Sequence, residues 1–222
     1  SGTSDPPDPR AQGRLVTVTG SAGSGRSTIA AAVAQHLAER RPTGEILLLD
    51  LARRAHQALL HDAGDLVPGI QELVEACRNA SIAPQDLRPF TFTIGHRGYH
   101  LVVGLRRPHD WVAVRARAFA MALESCRRGF AVVVADVDDD VEGAAQTGSF
   151  DIEDRNLMTR TALSEADVTL VAAIPTLTGL RDLMPRYAPD GRGIVFWRGD
   201  AWGRSVHALD LHSGIERVLR PA

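Results

Sequence analysis

The chain alternates between short, wholly apolar runs and longer stretches that carry a single apolar stripe. Residues 15–19 (LVTVT) form the first run, and a glycine-rich segment follows it. Residues 27–40 (STIAAAVAQHLAER) are strong helix formers, with Ile29, Val33 and Leu37 on one face. Residues 45–49 (EILLL) and 130–135 (FAVVVA) are apolar runs that close on Asp50 and Asp136. Such runs read as strands buried on both faces. Residues 168–174 (VTLVAAI) make a further strand. Helical patterns mark 56–61, 70–77, 111–128, 154–166 and 177–187, with a short closing helix over 211–219. Residues 91–94 and 99–103 flank Gly95-His96-Arg97-Gly98 and predict a hairpin. Residues 194–197 and 206–209 are weaker strand candidates. Apolar strands alternating with helices predict an α/β fold with a mostly parallel central sheet and helices on both faces. Residues 1–14 are polar and rich in Pro and Gly, which reads as a disordered tail or linker before a single domain over 15–222.

The turn between the first strand and the first helix carries the candidate chemistry. It reads GSAGSGRST: Gly20, Ser21, Ala22, Gly23, Ser24, Gly25, Arg26, Ser27 and Thr28. This is the phosphate-loop frame G-x-x-x-x-G-K-[ST], except that Arg26 stands where the frame has lysine. Such a loop aims backbone N–H groups at a phosphate, and the helix behind it adds its positive end. The nine residues are therefore candidate phosphate ligands, with the Ser27 hydroxyl a candidate Mg²⁺ ligand. Arginine keeps the charge of lysine but spreads it over a bulkier planar fork. Catalysis, which depends on positioning, is expected to suffer more than binding.

A nucleotide site of this kind needs an acid at the end of a neighbouring strand. Asp136 is the candidate metal-holding carboxylate. Asp50 is a second strand-end acid that could face the same metal. Both are candidate catalytic residues beside Arg26, although strand-end Asp residues are also common as caps and turns. Asp138, Asp139, Asp140 and Glu142 extend the acidity and read as a solvated loop.

Composition narrows the remaining classes. Hydrophobic residues make up 44% and charged residues 23%, which is ordinary for a globular chain. The net charge of −2 gives no general pull toward DNA or an anionic membrane. Cys77 and Cys126 stand far apart, which argues against a disulfide framework or a zinc site. All 25 basic residues are arginine. The absence of lysine thus extends beyond the loop and gives Arg26 a bland origin.

Together, TVTGSAGSGRSTIAAAVAQHLAER, EILLLDLARRAHQALLHDAGDLVPGIQELVEACR, GYHLVVGLRRPHDW, AVVVADVDDDVEGAAQTG and RTALSEADVTLVAAIPTLTGLRDL resemble the ParA/MinD family of P-loop ATPases. More narrowly, they look like the CpaE/TadZ-type members of actinobacterial pilus and septum-site loci. The resemblance runs from about residue 15 to about residue 187. It implies ATP or ADP with Mg²⁺ as cofactor and a homodimer as the working form. It also implies protein partners in a pilus, secretion or division machine, and a cytoplasmic place that can include the inner membrane face. Three family positions depart. The lysine that reaches across the dimer falls on Ser21, the loop lysine on Arg26, and the water-orienting aspartate on Ala52. The expectation is a nucleotide-binding positioning factor with weak or lost ATPase activity. Alternatives are a scaffold that takes no nucleotide, and a small-molecule kinase with 95–98 or 105–107 as lid. Arg106, Arg107, Arg115, Arg117, Arg127 and Arg128 could build a DNA patch, though net charge favours a solvated, ion-paired face.

Overall fold

The computed structural model describes residues 12–41, 44–173, 194–200, 203–209 and 216–220, the last three segments by their backbone. The strands are β1 (Arg14–Gly20), β2 (Ile46–Asp50), β3 (Phe92–Ile94), β4 (Tyr99–Val102) and β5 (Val132–Asp136), followed by β6 (Val168–Ala173), β7 (Ile194–Asp200), β8 (Gly203–Leu209) and β9 (Glu216–Arg220). They form one sheet in the order β3-β4-β2-β5-β1-β6-β7-β8-β9. The block from β4 to β7 is parallel. The two edges are antiparallel additions.

The parallel strands β2 and β5 are apolar up to their terminal aspartates because each face is covered by helices. In β2, Ile46 and Leu48 face one core while Leu47 and Leu49 face the other. In β5, Val132 and Val134 divide from Val133 and Ala135 in the same way. One core is closed by α1 (Arg26–Ala38). The other is closed by α3 (Ile70–Ala76), α4 (Ala116–Gly129) and α7 (Leu157–Glu165). Three short helices complete the set: α2 (Gln57–Leu60), α5 (Ala144–Thr147) and α6 (Phe150–Arg155). The expected α/β architecture, with a mostly parallel sheet between helical layers, is what the chain adopts.

The stripe Ile29, Val33 and Leu37 packs partly buried against the core that α1 closes, and the most buried residues of α1 are Ala30, Ala31, Ala34 and Ala38. Small side chains let the helix approach the sheet closely. Other expectations are corrected. The expected helix over 111–128 begins at Ala116, after a separate 3-10 turn at Asp110–Ala113. Val112 and Val114 are β-branched and disfavour the helical path between them. The helix expected over 154–166 is interrupted at Asn156, which separates α6 from α7. The closing helix over 211–219 is overturned in its second half, because β9 pairs antiparallel with β8. Pairing satisfies backbone groups that the β8 edge would otherwise leave open. Of the expected tail over 1–14, residues 1–11 lie outside the described residues and Arg14 already belongs to β1; the helix expected over 177–187 also lies outside them.

Candidate functional site

The parallel topology brings the C-terminal ends of β1, β2 and β5 side by side. Asp50 pairs in register with Asp136, and Val18 with Asp136 on the other side. The loop after β1 opens directly into α1, and Gly25 in the left-handed region (φ 81°) stands just before the first helical residue. Gly23 shares that conformation, and a side chain on either would point into open space. Gly20 is needed for a different reason. A Cβ there would fall 2.2 Å from the Ala172 carbonyl oxygen. Above the loop lies a cleft of about 650 Å³. Ser21, Ala22, Gly23, Gly25, Arg26, Ser27 and Thr28 form its floor, with Arg53, Arg54, Leu59, Leu60, Pro108, Asp138 and Asp139 around it.

Arg26 does not reach up into this cleft. Its Nε donates to Asp136 Oδ1 at 2.7 Å, and its Nη1 donates to Asp138 Oδ1 at 3.3 Å. The Arg26 side chain is 11% exposed and that of Asp136 is fully buried. Burial works against the arginine charge, and the facing Asp136 and Asp138 outweigh it, so its pKa is held above the ordinary value. The other Asp136 oxygen accepts from Gln57 Nε2 at 2.7 Å. The same amide nitrogen donates to the Ser27 carbonyl at 2.9 Å, tying α1 to β5. Gln57 N donates to Asp50 Oδ2 at 2.8 Å. Burial first, and then the Asp136 charge, push the Asp50 pKa up to about 7.

Asp138 departs from the expected solvated loop. It is mostly buried, and its Oδ2 accepts from the backbone N and the Nε of Arg53 at 2.8 and 3.3 Å. Asp140 is also tied down, by Arg155 at 2.6 Å and Asn156 at 2.8 Å. Sequence reasoning missed Gln57 altogether, since one glutamine in a short helix has no spacing signal. Among the described residues, three buried side-chain atoms have no hydrogen-bond partner: Ser24 Oγ, Asp50 Oδ1 and Gln57 Oε1. All three belong to this site.

A phosphate chain and a divalent metal fit these residues differently. The loop suits phosphate, with positive-φ glycines, an open cleft and the positive end of a 13-residue helix. The metal position does not suit Mg²⁺, because both oxygens of Asp136 already accept hydrogen bonds and Asp138 holds Arg26 and Arg53. Among the described residues, no group of three or more His, Cys, Asp or Glu could hold a metal ion. Neither segment proposed as a kinase lid, 95–98 or 105–107, contributes to the cleft lining, although Pro108 beside the second does. Arg97 leans on His61 and Tyr99, and Arg106 bonds Gln71 and pairs with Glu72. No helix among the described residues is long and apolar enough to cross a membrane.

The sequence matches no protein-family model and no curated protein. Solved structures do resemble it. A ParA family ATPase from Chlorobium tepidum TLS is 14% identical at TM-score 0.62, over 85% of this chain and 75% of that one. A chain of the MinC:MinD cell division protein complex of Aquifex aeolicus is 18% identical at TM-score 0.51, over 78% and 61%. Cobyrinic acid a,c-diamide synthase from Mycobacterium smegmatis, solved with an ATP analogue and magnesium, is 16% identical at TM-score 0.54, over 82% and 74%. At these identities the likeness is one of fold, and folds of this kind host more than one chemistry. The strand order, the glycine loop opening α1 and these likenesses agree: the chain has the fold of the ParA/MinD-type P-loop NTPases.

Proposed function

We propose that the chain is a ParA/MinD-like nucleotide-binding positioning or assembly factor with weak or lost ATPase activity. Its setting would be a pilus, secretion or septum-site machine. One observation carries the reading. The loop keeps its glycines and open cleft, while the residue in the lysine position is turned onto Asp136 and Asp138. Phosphate can still meet backbone N–H groups and the helix end. The charge that would stabilise a transferring phosphoryl group is engaged elsewhere. The solved MinC:MinD complex supports protein partners for a molecule of this shape. Working as a homodimer belongs to the same reading, as does a cytoplasmic place. The single domain over 15–222 is part of the proposal too.

Thermal melts with and without ATP or ADP test it. A ligand at about 100 times its Kd adds roughly 2.7 kcal/mol, which raises the melting point by several degrees. The expected result is such a rise, absent in Gly23→Asp, with ATP turnover near background. Asp tolerates the left-handed backbone at position 23 and would put a negative charge in the cradle. A second reading, the scaffold without nucleotide, draws on the apolar surface at the cleft. Leu59 is 81% exposed there, beside the half-exposed Leu60. No shift at millimolar nucleotide would favour that reading.

A further inference from the structure

The Arg26 side chain sits where the fold's chemistry calls for a cation, and it is itself a cation. It bridges two carboxylates from different segments, Asp136 at the end of β5 and Asp138 in the loop beyond. Arg53 closes on the far side of Asp138. Two acids thus face two guanidinium groups, with the buried Asp50 carboxyl, its pKa pushed up to about 7, beside them. Gln57 takes the remaining Asp136 oxygen. A divalent ion could reach Asp136 only by displacing the Gln57 amide from one oxygen or by expelling Arg26 from the other, which would strand a guanidinium. Lysine, a single point charge, would not bridge the two acids as the planar fork does.

We infer that Arg26 is a tethered cation in the metal's place, so that the loop takes a nucleoside polyphosphate, or another polyphosphate anion, without a divalent metal. The nucleotide part of this inference rests on the reading given under Proposed function. The part concerning the metal does not. Phosphate charge would be met by the loop amides, by exposed Arg54, and by the accessible part of Arg53, which line the cleft. A metal-bound nucleotide gains nothing from Asp136 here.

Two titrations on the full chain decide it. ATP is titrated calorimetrically in EDTA and in excess Mg²⁺ at matched ionic strength. The expected Kd in EDTA is equal to that in Mg²⁺ or tighter. Binding tenfold or more tighter with Mg²⁺ overturns the inference. Separately, Mn²⁺ binding without nucleotide is read by electron paramagnetic resonance on the wild type, Arg26→Gln and Asp136→Asn. The expected wild type shows no specific Mn²⁺, and Arg26→Gln gains one ion. A wild-type Mn²⁺ site that Asp136→Asn abolishes overturns the inference. If ATP binds under neither condition, the nucleotide reading fails, and the Mn²⁺ result alone decides whether Arg26 holds the metal's place. If Arg26→Gln does not fold, the wild type and Asp136→Asn give the same decision.

Discussion

A single arginine changes the character of this site, and its neighbours show what its loss would cost. Asp136 is fully buried, and Arg26 is its charged partner at 2.7 Å. Removing one member of such a pair leaves an uncompensated buried charge, at about 3–5 kcal/mol. Arg26→Ala is therefore expected to lower the melting point by roughly 6–20 °C, read by circular dichroism. Asp50 supplies a pH dependence. Its pKa is about 7 in the fold against an ordinary 3.8, so folding takes up a proton between those values. That contribution to stability is fully present below about pH 4 and is lost as pH rises through about 7. Asp50→Asn removes it, so the variant's melting temperature should rise relative to wild type as pH goes from about 4 to about 7 and hold level above that. Ala52, the position on which the resemblance places a water-orienting aspartate, is fully buried. Ala52→Asp would have to bury a carboxylate in that wall, and a lower melting point is expected rather than restored turnover. Sequence alone marked Arg26, Asp50 and Asp136 as belonging together, because strand ends and glycine frames have fixed spacings. The direction of the Arg26 side chain is not encoded in any spacing. It follows from two acids brought to it across more than a hundred positions.

At the scale of elements, the helical and strand periods were legible while their phase and limits were not. The pattern of α1 is helical, and its aliphatic stripe packs partly buried against the core, while the most buried residues of the helix are alanines. The reason is distance: the β1–β5 region of the sheet leaves room for methyl groups under that helix. Ala34, with no exposed surface, sits in this seam. Ala34→Leu is expected to overpack it and cost about 1–3 kcal/mol, seen as an earlier urea midpoint. The break at Asn156 was equally hidden. That residue is nearly buried, and its amide holds Asp140 and the Glu142 carbonyl. Its value lies in anchoring a distant loop, which local propensity does not record. The β9 strand was misread as a helix because its partner, β8, decides its conformation.

For the molecule as a whole, charge is spread rather than gathered. Three arginines of the suggested DNA patch have acidic partners: Arg106 with Glu72, Arg127 with Asp167 and Arg128 with Glu124. With a net charge of −2, little electrostatic drive toward DNA remains. No retention of duplex DNA is expected in a gel-shift assay at about 0.15 M salt, the ionic strength at which charges beyond roughly 8 Å are screened. The architecture was legible because strands buried on both faces leave long apolar runs in sequence. One consequence of the strand order concerns how the chain comes to fold. β1 lies between β5 and β6, and the Leu15 amide bonds the Asp167 carboxylate across 152 positions. The middle of the sheet therefore closes last in synthesis, although its first strand emerges early. Loop-closure entropy over such separations makes assembly slow. Arg26, the first residue of α1, therefore takes its bridging geometry only when Asp136 and Asp138 have left the ribosome, and Gly20 at the loop's start finds its Ala172 partner only with the sixth strand.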